Sequence, residues 1–142
     1  MPNDADLAGR TVLVVEDNYF IAMDTSWSLR GAGGDVLGPV AREDQALALI
    51  AGGAPTCAVL DINLGDGPVF AVPDALRDAC IPFVFVTGYD DVVIPARFDG
   101  VERLRKPVAY GEVIQAMARL DPGRDVGAPP SDGFVEVATA PE

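Results

Sequence analysis

Thr11-Val12-Leu13-Val14-Val15-Glu16-Asp17 is a short apolar, β-branched run that stops on two acids. Such a run reads as a buried strand with carboxylates at its C-terminal end. The same form recurs downstream. Cys57-Ala58-Val59-Leu60 ends at Asp61, Pro82 to Val86 ends at Thr87-Gly88-Tyr89, and Val101 to Leu104 leads to Lys106-Pro107. Asp35 to Val40 supplies a further strand. Between the strands lie helical patterns: Phe20 to Leu29, Arg42 to Ala51, Pro68 to Ala79 with Pro73 as a kink or a late start, and Tyr110 to Leu120. Phe20, Met23 and Trp27 fall at helical spacing and are expected in the core. Asp91 to Phe98 forms at most a weak helix, because Pro95 interrupts it. Asn63 to Gly67 reads as a turn-rich loop.

Strand followed by helix, over and over, implies an α/β fold: a doubly wound, five-stranded parallel sheet with helices on both faces, since parallel strands need crossover connections. The sequence divides into a flexible N-terminus over 1–9, one domain over 10–120 and an acidic segment over 121–142. That last segment carries five acids, one arginine and several Pro and Gly breakers, and is expected to be disordered or loosely packed.

Composition narrows the chemistry. The 142 residues suit one domain and a tail, and the apolar fraction of 49% is that of a globular chain. A net charge of −12 argues against nucleic acid and against an anionic membrane surface. No apolar run approaches the ~20 residues of a membrane helix, and the first residues lack a signal peptide's pattern. The expected location is cytoplasmic, with Cys57 and Cys80 as free, buried thiols. Without histidine there is no histidine-based metal site or triad. Nine of the ten basic residues are arginine, and the single lysine is Lys106.

In doubly wound sheets ligands bind at the carboxyl ends of the strands. Glu16, Asp17, Asp61, Thr87 and Lys106 all fall at such ends. Converging carboxylates repel unless a cation joins them, and an all-oxygen ligand set suits Mg2+, or Mn2+. A lysine adds a compact positive charge and a threonine a hydrogen-bond donor. The set can stabilise a phosphoryl group in transfer, with one carboxylate as nucleophile. Each residue also has a plainer reading. Glu16-Asp17 could cap the helix starting near Asn18, Asp61 could be a turn residue, Thr87-Gly88 a strand-end turn and Lys106 a surface lysine.

Taken together, Val-Glu-Asp (15–17), Leu-Asp-Ile-Asn-Leu (60–64), Val-Thr-Gly-Tyr (86–89) and Lys-Pro (106–107) resemble the receiver domains of response regulators in two-component signalling, over about residues 10–120. The resemblance implies a flavodoxin-like, three-layer α/β/α sandwich. It implies Asp61 as phosphoacceptor, Asp17 as a direct metal ligand, Glu16 as an acid binding the metal directly or through water, and Asn63 as a backbone-carbonyl ligand. Thr87 matches the switch hydroxyl and Lys106 the phosphoryl-pairing lysine, often followed by a cis bond to proline, here Pro107. Gly88 leaves room for the phosphoryl group, and Asn63 and Tyr89 occupy positions that tune its loss. The sequence departs at Arg103, where receivers usually carry an aromatic switch residue. Phe85-Val86-Thr87-Gly88-Tyr89 resembles the "FAT GUY" subset, which lacks that aromatic and has a weak fourth helix. In that subset Tyr89 takes over part of the switch.

The expected function is that of a signalling switch rather than a turnover enzyme. It would be phosphorylated by a histidine kinase or histidine phosphotransfer protein, would lose the phosphate by slow autodephosphorylation, and would act on a protein partner or as a phosphate sink. Two other classes compete: a receiver-fold binding module that never uses phosphate, and an aspartate-nucleophile phosphatase. The second usually carries another acid two residues after the nucleophile, where this chain has Asn63.

Overall fold

The computed structural model describes residues 7–64, 67–68, 70–88 and 94–120. In chain order the elements are β1 (Thr11–Val15), α1 (Tyr19–Gly31), β2 (Asp35–Val40), α2 (Glu43–Ala51), β3 (Cys57–Asp61), β4 (Asn63–Leu64), β5 (Gly67–Pro68), α3 (Ala71–Asp78), β6 (Phe83–Thr87), a 3-10 turn (Ala96–Phe98), β7 (Arg103–Arg105) and α4 (Tyr110–Arg119). The main sheet has five strands in the order β2-β1-β3-β6-β7, all pairs parallel. This is the expected doubly wound α/β sandwich. The strand order reverses direction beside β1, and that switch point opens a crevice at the carboxyl edge.

Alternating strand residues feed two cores. Leu13, Val15, Leu60, Phe83 and Phe85 face α2, α3 and the 3-10 turn. Val12, Val14, Val59, Val84 and Val86 face α1 and α4, meeting Leu29, Val113 and Met117. Burial on both faces explains why these strands read as continuous apolar runs. At the foot of the sheet the Arg10 guanidinium donates to the carbonyls of Met117 (2.6 Å) and Leu120 (2.5 Å), which holds the end of α4 beside β1. The Leu7 amide donates to the Ala32 carbonyl just beyond α1 (2.9 Å), so the ends of both helices are tied to the same corner.

Several local expectations change. The segment read as a loop from Asn63 contains a two-stranded antiparallel ladder, Asn63 opposite Pro68 and Leu64 opposite Gly67. α3 takes the late start: it begins at Ala71, which puts Pro73 in the first turn, where the missing N–H has no helical partner to lose. The last sheet strand is Arg103–Arg105 rather than Val101–Leu104, set by the pairing of Phe85 with Arg103 and Thr87 with Arg105. Before it, the described helical structure is the single 3-10 turn Ala96–Phe98, whose N-cap is Pro95.

The largest correction concerns α1. Phe20 and Trp27 are each 77% exposed and Met23 37%, so they are not core. The helix instead buries Ala22, Ser26 and Leu29. Ala22 and Ser26 are small and let the helix lie close to the sheet, Leu29 anchors it in the core, and the Ser26 hydroxyl donates to the Ala22 carbonyl (2.8 Å). Cys57 is buried as expected, but Cys80 is exposed, in the left-handed turn (φ 60°) that ends α3.

Candidate phosphoacceptor and metal site

Strand register assembles the site. Val15 pairs with Leu60, so Glu16 and Asp61 leave their strands at the same level. Asp61 pairs with Val86, placing Thr87 one step further along β6, and Thr87 pairs with Arg105, placing Lys106 next to it. The Lys106 amide donates to the Thr87 carbonyl at 2.8 Å and fixes the start of the β7–α4 turn. The Lys106–Pro107 peptide bond is cis.

From that anchor the lysine side chain reaches back across β6. Its Nζ lies 3.1 Å from Glu16 Oε2 and 3.1 Å from Asp61 Oδ2. Both carboxylates have side chains only 5% exposed, against 18% for the lysine. Asp17 is exposed, and one carboxylate oxygen from each of Glu16, Asp17 and Asp61 lies within 4.8 Å of the others.

The capping alternative for these acids does not hold. The α1 N-cap is Asn18, whose Oδ1 accepts from the Ile21 amide at 3.1 Å. Glu16 Oε2 accepts the Asn18 amide at 3.2 Å, and the same oxygen accepts from Lys106, so two donors fix the carboxylate. Asn immediately before the first apolar residue of the helix was the available signal for that cap.

Electrostatics report crowding. Burial, then the Asp61 hydrogen bond and charge, raise the Glu16 carboxyl to about 7, against the lowering pull of Lys106 and the Asn18 amide. Burial pushes the Lys106 ammonium down, but the charges of Asp61 and Glu16 and their hydrogen bonds more than offset it, so its pKa is raised. Lys106 thus stands between two buried carboxylates, one of which holds its proton more tightly than usual. The donor set is all oxygen, and a hard divalent ion fits it.

Thr87 and Gly88 are half-buried beside the acids, and Pro107 is exposed. A Cβ built on Gly88 meets nothing within 4 Å, so the approach there is open. A cavity of about 200 Å³ extends from Glu16, Asp61 and Lys106 down between α1 and α4, past Asp24, Thr25 and Val113. Arg103 is exposed on the edge strand and belongs to the surface, away from the acids. The backbone of Asn63 starts β4, two residues beyond Asp61. Tyr89 lies outside the described residues, as do Asp66, Asp90, Asp91 and the segment 121–142. No helix among the described residues is long and apolar enough to cross a membrane.

No family model matches the chain. Among curated proteins it is similar to the phyllosphere-induced regulator PhyR of Methylorubrum extorquens, with 33% identity over 102 residues, covering 70% of this chain and 36% of PhyR. Among solved structures it is similar to SdrG from Sphingomonas melonis Fr1, with 35% identity, a TM-score of 0.69 and coverage of 79% of this chain and 94% of SdrG. The BeF3-activated conformation of SdrG from Pseudomonas melonis Fr1 gives 36% identity and a TM-score of 0.66, covering 78% of this chain and 95% of that one. The response regulator PhyR from Brucella abortus gives 25% identity and a TM-score of 0.67, covering 81% of this chain and 49% of that one. The chain therefore spans between a third and a half of the PhyR proteins and almost all of SdrG.

Proposed function

Because the chain belongs to the response-regulator receiver domains of two-component signalling, we propose that it is a phosphorylation switch whose acceptor is Asp61. The observation that carries the reading is the arrangement of Asp61. It is buried at the carboxyl edge, 3.1 Å from the only lysine of the chain, with Glu16 and Asp17 beside it. Three carboxylates with oxygens within 4.8 Å of one another fit a Mg2+ (or Mn2+) ion.

In the proposed reaction Asp61 Oδ attacks the phosphorus of a phosphohistidine on a histidine kinase or histidine phosphotransfer protein. An O–P bond forms, the N–P bond breaks, and the electron pair leaves with the imidazole, which takes a proton. Glu16, Asp17, Asp61 and the Asn63 backbone carbonyl would hold the metal, which supplies charge neutralisation for the phosphoryl oxygens. Lys106, whose Nζ lies 3.1 Å from Asp61, would pair with one phosphoryl oxygen. The Thr87 hydroxyl donates to another, and Gly88 leaves space for the approach. The same site, open to water, returns Asp61 to carboxylate by slow hydrolysis. That is switching rather than substrate turnover.

Arg103 stands where an aromatic switch residue is usual in this family, so the reading assigns the response to the backbone after Thr87, with Tyr89 contributing. Among the described residues before β7, the 3-10 turn Ala96–Phe98 supports this "FAT GUY"-like reading. The reading places the domain over residues 10–120 and the protein in the cytoplasm, signalling through a protein partner or draining phosphate.

Titrating the 15N-labelled protein with beryllofluoride and Mg2+ tests the reading. Amide shifts at Asp61, Thr87, Gly88 and Lys106 are expected to move together and to require the metal. A spectrum unchanged by both reagents would eliminate the phosphoacceptor in favour of a binding module that does not use phosphate.

A further inference from the structure

Tyr19, Phe20, Met23 and Trp27 are the large hydrophobics exposed among the described residues, and all four lie on α1. Met23, Trp27 and Phe20 fall on one side of the helix, opposite the buried Ala22, Ser26 and Leu29. Single exposed apolar residues are ordinary, but a contiguous aromatic stripe marks a surface that is covered in use. Arg30, exposed in the last turn, stands one turn below Trp27 and gives the stripe a cationic end.

We propose that this stripe is a docking face whose occupant is residues 133–138 of the same chain, Gly-Phe-Val-Glu-Val-Ala. Three observations choose that occupant. First, Phe134-Val135-Glu136-Val137 holds the one aromatic residue of 121–142, within a segment of five acids and one arginine. Phe134 and the valines suit the stripe, and Asp132 and Glu136 complement Arg30. Second, the chain leaves α4 at the right corner. Arg10 holds Leu120 at the foot of β1, where Leu7 is bonded to the carbonyl of Ala32 just past α1. Third, the length suffices. The fourteen residues from Leu120 to Phe134 can span up to about 46 Å, whereas the 13-residue α1 is about 20 Å long. A second copy is the weaker occupant, because a free chain binds only at its bulk concentration, while a tethered segment is held at about millimolar effective concentration.

Trp27 is the only tryptophan, so acrylamide quenching of its fluorescence in the full chain reads the stripe directly. An effective concentration of about 1 mM against an intrinsic Kd of about 0.5 mM would cover the stripe about two thirds of the time. The full-length double variant Phe134→Ser/Val137→Ser should therefore raise the quenching constant about threefold and shift emission to the red, with unchanged circular dichroism. Protection in the wild type should be independent of protein concentration. A peptide of residues 130–142, added at millimolar level, should restore it to the double variant. Equal quenching of wild type and variant would overturn the proposal. So would protection that grows with protein concentration in both, which assigns the face to a second copy, or protection that appears only on adding a phosphodonor protein.

Discussion

Raising the pH in the absence of divalent metal should weaken the fold, and Glu16→Gln should remove the effect. Burial, then the neighbouring Asp61, raise the Glu16 carboxyl from an ordinary 4.5 to about 7. An acid with a raised folded-state pKa binds its proton more tightly in the folded chain than in the unfolded one. Its stabilising contribution is complete below pH 4.5 and is lost as the pH rises through about 7. That interval amounts to about 3 kcal/mol, a large part of the stability of a small domain. The assay is urea unfolding in EDTA across this range for wild type and Glu16→Gln. The stability of Glu16→Gln relative to wild type should climb by about 3 kcal/mol between about pH 4.5 and about pH 8, a midpoint shift of about 1–3 M urea. Magnesium at about a hundred times its dissociation constant should return about 2.7 kcal/mol to the wild type at the alkaline end. A difference between the two proteins that stays flat with pH would refute the claim that these carboxylates are crowded without a cation.

Other consequences are simpler to check by the same unfolding measurements. Trp27→Ala should change stability by less than about 1 kcal/mol, whereas Leu29→Ala, two residues along the same helix, should cost about 2–5 kcal/mol. Equal costs would contradict the assignment of the two faces of α1. Phe98 is fully buried, ring-packed on Phe70, Phe83 and Phe85, with the Arg77 and Arg97 guanidinium groups over its ring. Phe98→Ala should cost about 3–5 kcal/mol, and a cost near zero would show that the 3-10 turn does not close that core. Lys106→Met should leave Glu16 and Asp61 without their cation and cost about 1–3 kcal/mol in EDTA at alkaline pH. Magnesium should recover most of that loss; a loss that magnesium leaves intact would place the role of Lys106 in packing.

The sheet and the cluster of Glu16, Asp61 and Lys106 were legible for one reason: β1, β3 and β6 are buried on both faces, so they stand out as apolar runs, and the polar residues sit where each run stops. Glu16, Asp61, Thr87 and Lys106 are each the residue that ends a strand or follows it. The helices were less legible. In α1 two stripes compete, one of large residues at 20, 23 and 27 and one of Ala22, Ser26 and Leu29, in which only the leucine is large. Side-chain size favours the wrong one, because close packing on a sheet also rewards small residues such as Ala22 and Ser26. The last strand shifted because its ends are charged: Arg103 and Arg105 pair through their backbones at the sheet edge while only Leu104 points into the core. Cys80 follows Ala79 out of α3 into a turn, and its apolar neighbours Ile81 and Pro82 hid that exit. The Asn63–Pro68 ladder pairs two segments of two residues each, too short for a hydrophobic pattern to announce it.

The central claim is that Asp61 accepts a phosphoryl group, and the intact mass of the protein after incubation with acetyl phosphate and Mg2+ tests it most directly. The account predicts one added phosphoryl group that is absent from Asp61→Asn and absent when EDTA removes the metal. An adduct that persists in Asp61→Asn, or a wild type that neither gains the mass nor binds beryllofluoride with magnesium, would contradict it.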